Sequence, residues 1–525
     1  MGIRAISLRA ILLAGAGAAL LACGPSNSVN DPRLAEAAAK QDMAAVRALI
    51  DDNVNANSAQ ADGATALHWA VHWDDLEIAD LLIDEGANVD AANEYGATPI
   101  SLACTNGNAA MVEKLLEEGA NANVATSSGE TPLMRCARTG NAEAVKALLD
   151  EGADVKAKDI ETEQTALMWA VAQKHAGAAQ ALIAAGADVN ARSKGGFTPL
   201  MFAARVGDVD SAGILVDAGA KVDEVGPAGM TPLVLAAAGG QETVAIFLLD
   251  KGANANARDE YGATALHYST IMGITAINAV RYANYVAHIF RPSQTKLVEA
   301  LLAHKADPNA RIAKLIRIGG GDSDALIGAT PLLLAAATPD VNVMRMLVKA
   351  GANPKMMTET KLTPVMAAAG LGRGQDFTEA EKKTALEAVQ LAVELGGDVN
   401  ATDVNGLTAM HGAATNGADA VVQFLVSKGA KLDVRDKYQQ TPLSIATGER
   451  LPWIPYGEEL GEIIQPSTRD LLLKLGAAPL TTPGYFKPPA EGSDAYRINA
   501  GQRGLNAPPP VVLQVGPGDN RGGGP

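Results

Sequence analysis

Two histidines four residues apart, His68 and His72, would share one face of a helix, where paired imidazoles can hold a metal ion. No third ligand accompanies them, so no metal site is expected. Gly319-Gly320-Gly321-Asp322 is glycine-rich but lacks the Lys-Ser/Thr that a phosphate-cradling loop needs. Ser323, in Gly321-Asp322-Ser323-Asp324-Ala325, misses the second glycine of a strained nucleophile turn. With 59 carboxylates in the chain, pairs of them are uninformative, because most must lie on solvated faces. The three cysteines exclude a disulfide scaffold, a four-cysteine zinc site and a CxxCH haem attachment. We therefore expect no enzyme, no catalytic residue, no cofactor and no metal.

The elements that carry these residues are repeated. Thr followed by Pro or Ala and then an apolar residue occurs at Thr65, Thr98, Thr131, Thr165, Thr198, Thr231, Thr264, Thr330, Thr363, Thr408 and Thr441. The spacings are 33, 33, 34, 33, 33, 33, 66, 33, 45 and 33. In the regular units a Leu-Leu or Leu-Ile pair follows the Thr by about 17 residues, then Gly-Ala-Asn/Asp-x-Asn, as in Gly186-Ala187-Asp188-Val189-Asn190; after Thr264 the pair, Leu301-Leu302, comes 37 and 38 residues on. Each position has a physical reading. Thr caps a first helix, and Pro beside it occupies the position where a missing N–H costs nothing. Ala203-Ala204 lets that helix lie close to its neighbours. Leu248-Leu249 sits on the buried stripe of a second helix, Gly252 ends it, and Asn405-Gly406 is typical of the turn that follows. Each unit thus reads as helix, helix, protruding turn.

At this point the chain resembles an ankyrin-repeat protein. The Thr-Pro-Leu-His-x-Ala pattern of that family stands here as Thr65-Ala66-Leu67-His68-Trp69-Ala70 and Thr408-Ala409-Met410-His411-Gly412-Ala413. The resemblance implies an all-α ankyrin-repeat solenoid of roughly twelve units over residues 31–480, stabilised by stacking. Residues 31–62 read as an N-terminal cap unit. Insertions fall near 275–295, 311–327, 372–384 and 449–466, and 481–525 is a Pro/Gly-rich tail. The resemblance also implies that His68, His267 and His411 make structural hydrogen bonds near the threonine of their own unit. Cys104 and Cys136 fall at small-residue positions, where buried free thiols are expected. The usual helix spacing of about 8–10 Å argues against a bridge between them.

Partner binding is expected on the first-helix face and the turns. Four residues after the repeat threonines stand Trp69, Arg135, Trp169, Phe202 and Tyr268; seven or eight after stand His72, Trp73, Arg138 and Arg205. In a chain with 4% aromatics this row is rich in interface-forming types. The alternative role for the residues four after is packing between units. Trp73 and Arg138 stand further from that position. The 264–330 unit adds Tyr282, Tyr285, Phe290 and Arg291 in one insertion and Arg311 and Arg317 in another.

A formal net charge of −16 argues against nucleic-acid binding. The partner expected from the repeat architecture is a protein of unknown identity, and a monomeric chain is expected. Residues 1–22 have a basic start (Arg4, Arg9) and an apolar run too short to span a membrane. They end in Leu20-Leu21-Ala22-Cys23, which resembles the bacterial lipobox and implies cleavage before Cys23 and lipid on it. Residues 23–30 then form a tether. Gly24, rather than Asp, is what resembles an outer-membrane lipoprotein facing the periplasm where the host has two membranes. The chain is similar in these respects to exported bacterial ankyrin-repeat lipoproteins. The expected function is a non-catalytic interaction scaffold, lipid-anchored outside the cytoplasm. An accessory or immunity-type protein holding a periplasmic enzyme inactive is the alternative, and an enzyme with a site in the insertions is the weaker one.

Overall fold

The structure, a computed structural model, describes residues 31–270, 294–314, 326–371, 377–437, 439–447 and 465–478. Apart from an isolated bridge between Ala59 and Thr65, the regular elements among these residues are helices, arranged in antiparallel pairs. The chain forms two compact units, 1–121 and 122–525. In the first, the inner helices Arg33–Ala39, Ala66–His72 and Pro99–Asn106 pack side by side, each followed by an outer helix. In the second the same pairing runs from Pro132–Thr139 with Ala142–Asp150 to Pro442–Ala446 with Pro466–Lys474.

Local chemistry sets each pair. Thr330 is extended (φ −106°), its Oγ1 accepts from the Leu333 amide at 3.3 Å, and Pro331 opens the helix. Inner helices are short and buried nearly all round: all seven residues of Pro232–Ala238 are buried. Such a helix needs neighbours on both sides, which is why the repeat must stack. Outer helices are amphipathic. In Glu242–Asp250 only Val244, Ala245, Leu248 and Leu249 are buried, and Gly252 follows in the left-handed region at φ 91°. The recurring Asn at the end of the Gly-Ala-Asn/Asp-x-Asn motif ties one repeat to the next. Asn190 donates from Nδ2 to the Gly219 carbonyl (3.3 Å) and accepts at Oδ1 from the Lys221 amide (3.0 Å).

Two sequence expectations change. The inserted residues before the second helix of the 363–408 unit are partly helical, because the outer helix begins at Glu379 and runs sixteen residues to Glu394. Thr378 and Glu381 form a capping box that starts it early: the Thr378 amide donates to Glu381 Oε2 (2.8 Å) and the Glu381 amide to Thr378 Oγ1 (3.2 Å). Cys104 and Cys136, expected as free thiols, are each fully buried and each disulfide-bonded. Both cysteines sit beside alanines on inner helices, where little side-chain bulk surrounds the sulfur. Among the described residues no helix is long and apolar enough to cross a membrane.

Candidate partner-binding site

The repeat histidines are held by hydrogen bonds inside the stack. His68 Nδ1 accepts from the Thr65 amide (3.1 Å) and lies 2.8 Å from Thr65 Oγ1; Nε2 donates to the Ala97 carbonyl (3.0 Å). Both ring nitrogens are occupied and the residue is buried, so it cannot pair with exposed His72 on a metal. Among the described residues no cluster of three His, Cys, Asp or Glu side chains could hold an ion. His267 and His411 repeat the arrangement with the Ala310 (3.1 Å) and Gln440 (3.4 Å) carbonyls. Burial pushes both imidazoles down to about 4, against an ordinary 6.5.

In the first unit, Trp69, His72 and Trp73 form an aromatic ledge. The His72 ring meets Trp69 edge-on at 5.7 Å between centroids and Trp73 at 4.7 Å. Trp69 donates its indole N–H to Gln60 Oε1 (3.0 Å) and Trp73 to the Ala39 carbonyl (3.1 Å). Trp73 remains 45% exposed although its polar atom is satisfied, leaving an open aromatic face.

In the second unit the inner helices Pro132–Thr139, Ala166–Ala172 and Pro199–Val206 lie side by side and carry a cation–aromatic strip. Glu130 pairs with two arginines, Arg135 at 3.0 Å and Arg138 at 3.6 Å. The Arg138 guanidinium stands 5.2 Å from the centre of the Trp169 ring. One repeat further on, the Arg205 guanidinium stands 4.9 Å from the Phe202 ring and 5.7 Å from Phe197. Desolvation lowers the Arg205 pKa, and no carboxylate among the described residues pairs with it. Phe202 is itself buried, 4% exposed, and serves as the floor on which exposed Arg205 rests.

Trp169 differs from its counterparts in one respect. Its Nε1 is buried and has no hydrogen-bond partner. Trp69 and Tyr268, at the same repeat position, each use a turn residue nine positions earlier: Gln60 for Trp69, and Asp259 for Tyr268, whose hydroxyl donates to Oδ2 at 2.5 Å. The turn before Thr165 is one residue longer, the single 34-residue spacing in the series. The matching turn residue is therefore Asp159, ten positions back. Its carboxylate instead accepts from the Thr162 amide (2.6 Å), the Thr162 hydroxyl (2.7 Å) and the Gln164 amide (2.9 Å). A buried donor left without an acceptor costs about 1–3 kcal/mol. That departure from the 33-residue rhythm was visible in the sequence, but its consequence was not.

The other expected site residues are placed as follows. Tyr268 is buried, and burial together with the bond to Asp259 raises its pKa above the ordinary phenol range. Arg311 donates from Nε to the Gly328 carbonyl (3.2 Å) and from NH2 to the Met357 carbonyl (3.2 Å), so it braces turns of the second unit. Cys23, Tyr282, Tyr285, Phe290, Arg291 and Arg317 lie outside the described residues. Phe197 and Glu130 belong to the strip and were not singled out from sequence, because they stand just before the repeat threonine rather than after it.

A family model for ankyrin repeats in three copies matches residues 12–93, 85–159, 157–226, 221–312 and 377–454, and a single ankyrin-repeat model matches 327–359. The chain belongs to the ankyrin-repeat family. It is 32% identical over 137 residues to human B-cell lymphoma 3 protein, covering 25% of this chain and 28% of that one. It is 34% identical over 133 residues to mouse ankyrin repeat domain-containing protein 63, covering 24% and 31%. With Caenorhabditis elegans ankyrin repeat and KH domain-containing protein mask-1 it shares 28% over 213 residues, 36% of this chain and 8% of the other. The matched region thus spans less than a third of these relatives' own lengths. The crystal structure of the human ASB11 ankyrin repeat domain aligns at 30% identity with a TM-score of 0.38, over 42% of this chain and 98% of that one. As an ankyrin-repeat chain, this is a protein–protein interaction module.

Proposed function

We propose that the chain is a non-catalytic scaffold that is exported, held to a membrane by lipid on Cys23, and binds a partner protein through inner-helix faces and the 264–330 insertions. In a host with two membranes it sits on the outer membrane facing the periplasm. The observation that carries the binding reading is the strip in the second unit, where Arg138 stacks on Trp169 and Arg205 on Phe202. Scarce aromatics held beside half-buried Arg138 and exposed Arg205 have the make-up of an interface anchor. Export is supported by the Arg4–Cys23 pattern, and disulfide-bonded Cys104 and Cys136 fit an oxidising compartment. Tyr282, Tyr285, Phe290, Arg291 and Arg317 add a second set of anchor types in the insertions.

One experiment with two arms tests this. Cells expressing the full chain are labelled with a fatty-acid analogue, and the protein is recovered from the membrane fraction with whatever it captures. Cys23→Ala should lose the label; equal labelling would overturn the lipid anchor. For the captured protein, the Trp169→Ala/Arg138→Ala and Tyr285→Ala/Arg317→Ala pairs should each lower affinity tenfold or more with folding intact. Full affinity in both would overturn the binding surfaces.

A further inference from the structure

The aromatic ledge of the first unit is open where the strip of the second is already filled. In the strip, the seventh residue after a repeat threonine is Arg138 or Arg205, and its guanidinium lies on an aromatic ring. In the first unit the same place holds His72 after Thr65 and Thr105 after Thr98. Among the described residues no Lys or Arg stands over Trp69 or Trp73. Trp73 is 45% exposed, and its indole N–H is already bonded to the Ala39 carbonyl. What it offers a partner is therefore its ring face.

Carboxylates border that face. The bond to Ala39 seats the Trp73 indole beside the turn that ends in exposed Asp42. Exposed Asp74 follows Trp73 directly, and its Oδ1 accepts from Asn106 Nδ2 (3.0 Å), the residue at the Trp73 place of the next repeat. Exposed Glu36 holds the Trp69 place on the neighbouring inner helix, Arg33–Ala39. The unit as a whole has the same sign. Residues 31–121 carry seventeen Asp or Glu against four Lys or Arg, a net of −13 in a chain whose formal charge is −16. Three of those four cations, Arg33, Arg47 and Lys114, already pair with Asp31, Glu77 and Asp80, and the fourth is exposed Lys40.

We propose that this ledge binds a basic segment of a partner protein. A Lys or Arg side chain of that segment lies on the Trp73 ring, as Arg138 lies on Trp169 within this chain, and further cations of the segment face Glu36, Asp42 and Asp74. The open ring gives one side chain a seat, and the negative field around it selects the sign of charge. This rests on the reading of inner-helix faces as binding surfaces and adds the chemistry of the partner.

The test pans a phage-displayed library of random twelve-residue peptides on the full folded chain, after pre-clearing on the Trp73→Ala chain so that only ledge-dependent peptides remain. The expected result is enrichment of Lys and Arg over the starting library. Synthesised with both ends capped, these peptides should lose about tenfold or more in affinity on Glu36→Gln/Asp42→Asn/Asp74→Asn, in which each side chain keeps its shape and an acceptor oxygen. Removing as many charges from the outer helices, in Asp84→Asn/Glu113→Gln/Glu117→Gln, should change affinity by no more than about twofold. Trp73→Leu, which keeps apolar bulk and loses the ring, should cost about three- to fivefold. Melting curves establish that each variant is folded. Ledge-dependent peptides without basic enrichment, or basic ones weakened equally by the two charge-removing triples, would overturn the proposal and leave the face a binding surface. Recovery of no ledge-dependent peptide would overturn the proposal together with the reading of this face as a binding surface.

Discussion

Acidification from pH 6.5 to 4.5 should destabilise the second unit, and His267 should account for a separable part of the loss. His267 is fully buried, with Nδ1 accepting from the Thr264 amide and Nε2 donating to the Ala310 carbonyl. A second proton on Nδ1 would meet the Thr264 N–H head-on, and burial leaves the resulting charge without water. The folded pKa is therefore about 4, below the ordinary 6.5. The unfolded chain takes up the proton first, so this stability is whole above about pH 6.5 and is lost as pH falls toward 4. That difference corresponds to about 3 kcal/mol in total, or about 1.4 kcal/mol per pH unit between the two values. His411, also at about 4, adds a comparable loss. Asp259, raised by burial, acts in the opposite direction, so the absolute curve mixes signs. The fold offers its own control. Ser101 and Ser444 occupy the same repeat position, each accepting at Oγ from its threonine amide at 2.9 Å, and neither titrates. His267→Ser should lower stability at pH 7.5 by roughly 1–3 kcal/mol through the unpaired Ala310 carbonyl. It should also flatten the pH dependence by about 1.4 kcal/mol per unit. Urea titrations followed by circular dichroism at several pH values measure both. Parallel curves for the two proteins between pH 6.5 and 4.5 would show that His267 is not held neutral by burial.

Two further substitutions probe the stack and the turns. Leu248→Ala removes a fully buried side chain from the outer-helix stripe and should cost about 2–5 kcal/mol, read as a lowered thermal midpoint; an unchanged midpoint would mean the stripe is misassigned. Gly229→Ala should also destabilise, by roughly 1–3 kcal/mol. Gly229 has φ 74°, and an added Cβ would lie 2.8 Å from the backbone nitrogen of Glu260, so equal stability would show that this turn can move aside.

Much of the fold was legible because its rules are local. A threonine cap, a proline at the first helical position and a glycine past the helix end act within a few residues, and the 33-residue period repeats them in register. The requirement that helices such as Pro232–Ala238 stack follows from their being apolar all round. One place where local reading fell short within the repeats, the early start of Glu379–Glu394, was itself signalled by Thr378 and Glu381.

The candidate site divides along the same line. Sequence alone determined that the first-helix row concentrates Trp, Phe and Arg, because periodicity assigns those residues to one face. It could not determine which of them are accessible or already bonded. Phe202 and Arg205 stand three residues apart, yet one is buried and the other exposed over its ring. Arg311 reaches the Met357 carbonyl 46 residues away and is taken up in bracing turns. Trp69 and Trp169 share a repeat position, but one has an acceptor and the other has none, because a single added turn residue changes where a carboxylate points. Hydrogen bonding and burial depend on ångström-scale placement of side chains from different repeats, and a repeat pattern specifies the residue type at each place without the distance to its neighbour. The spacing of 34 marked the exception in the sequence, and only the packed structure decided that it leaves a buried indole N–H without an acceptor.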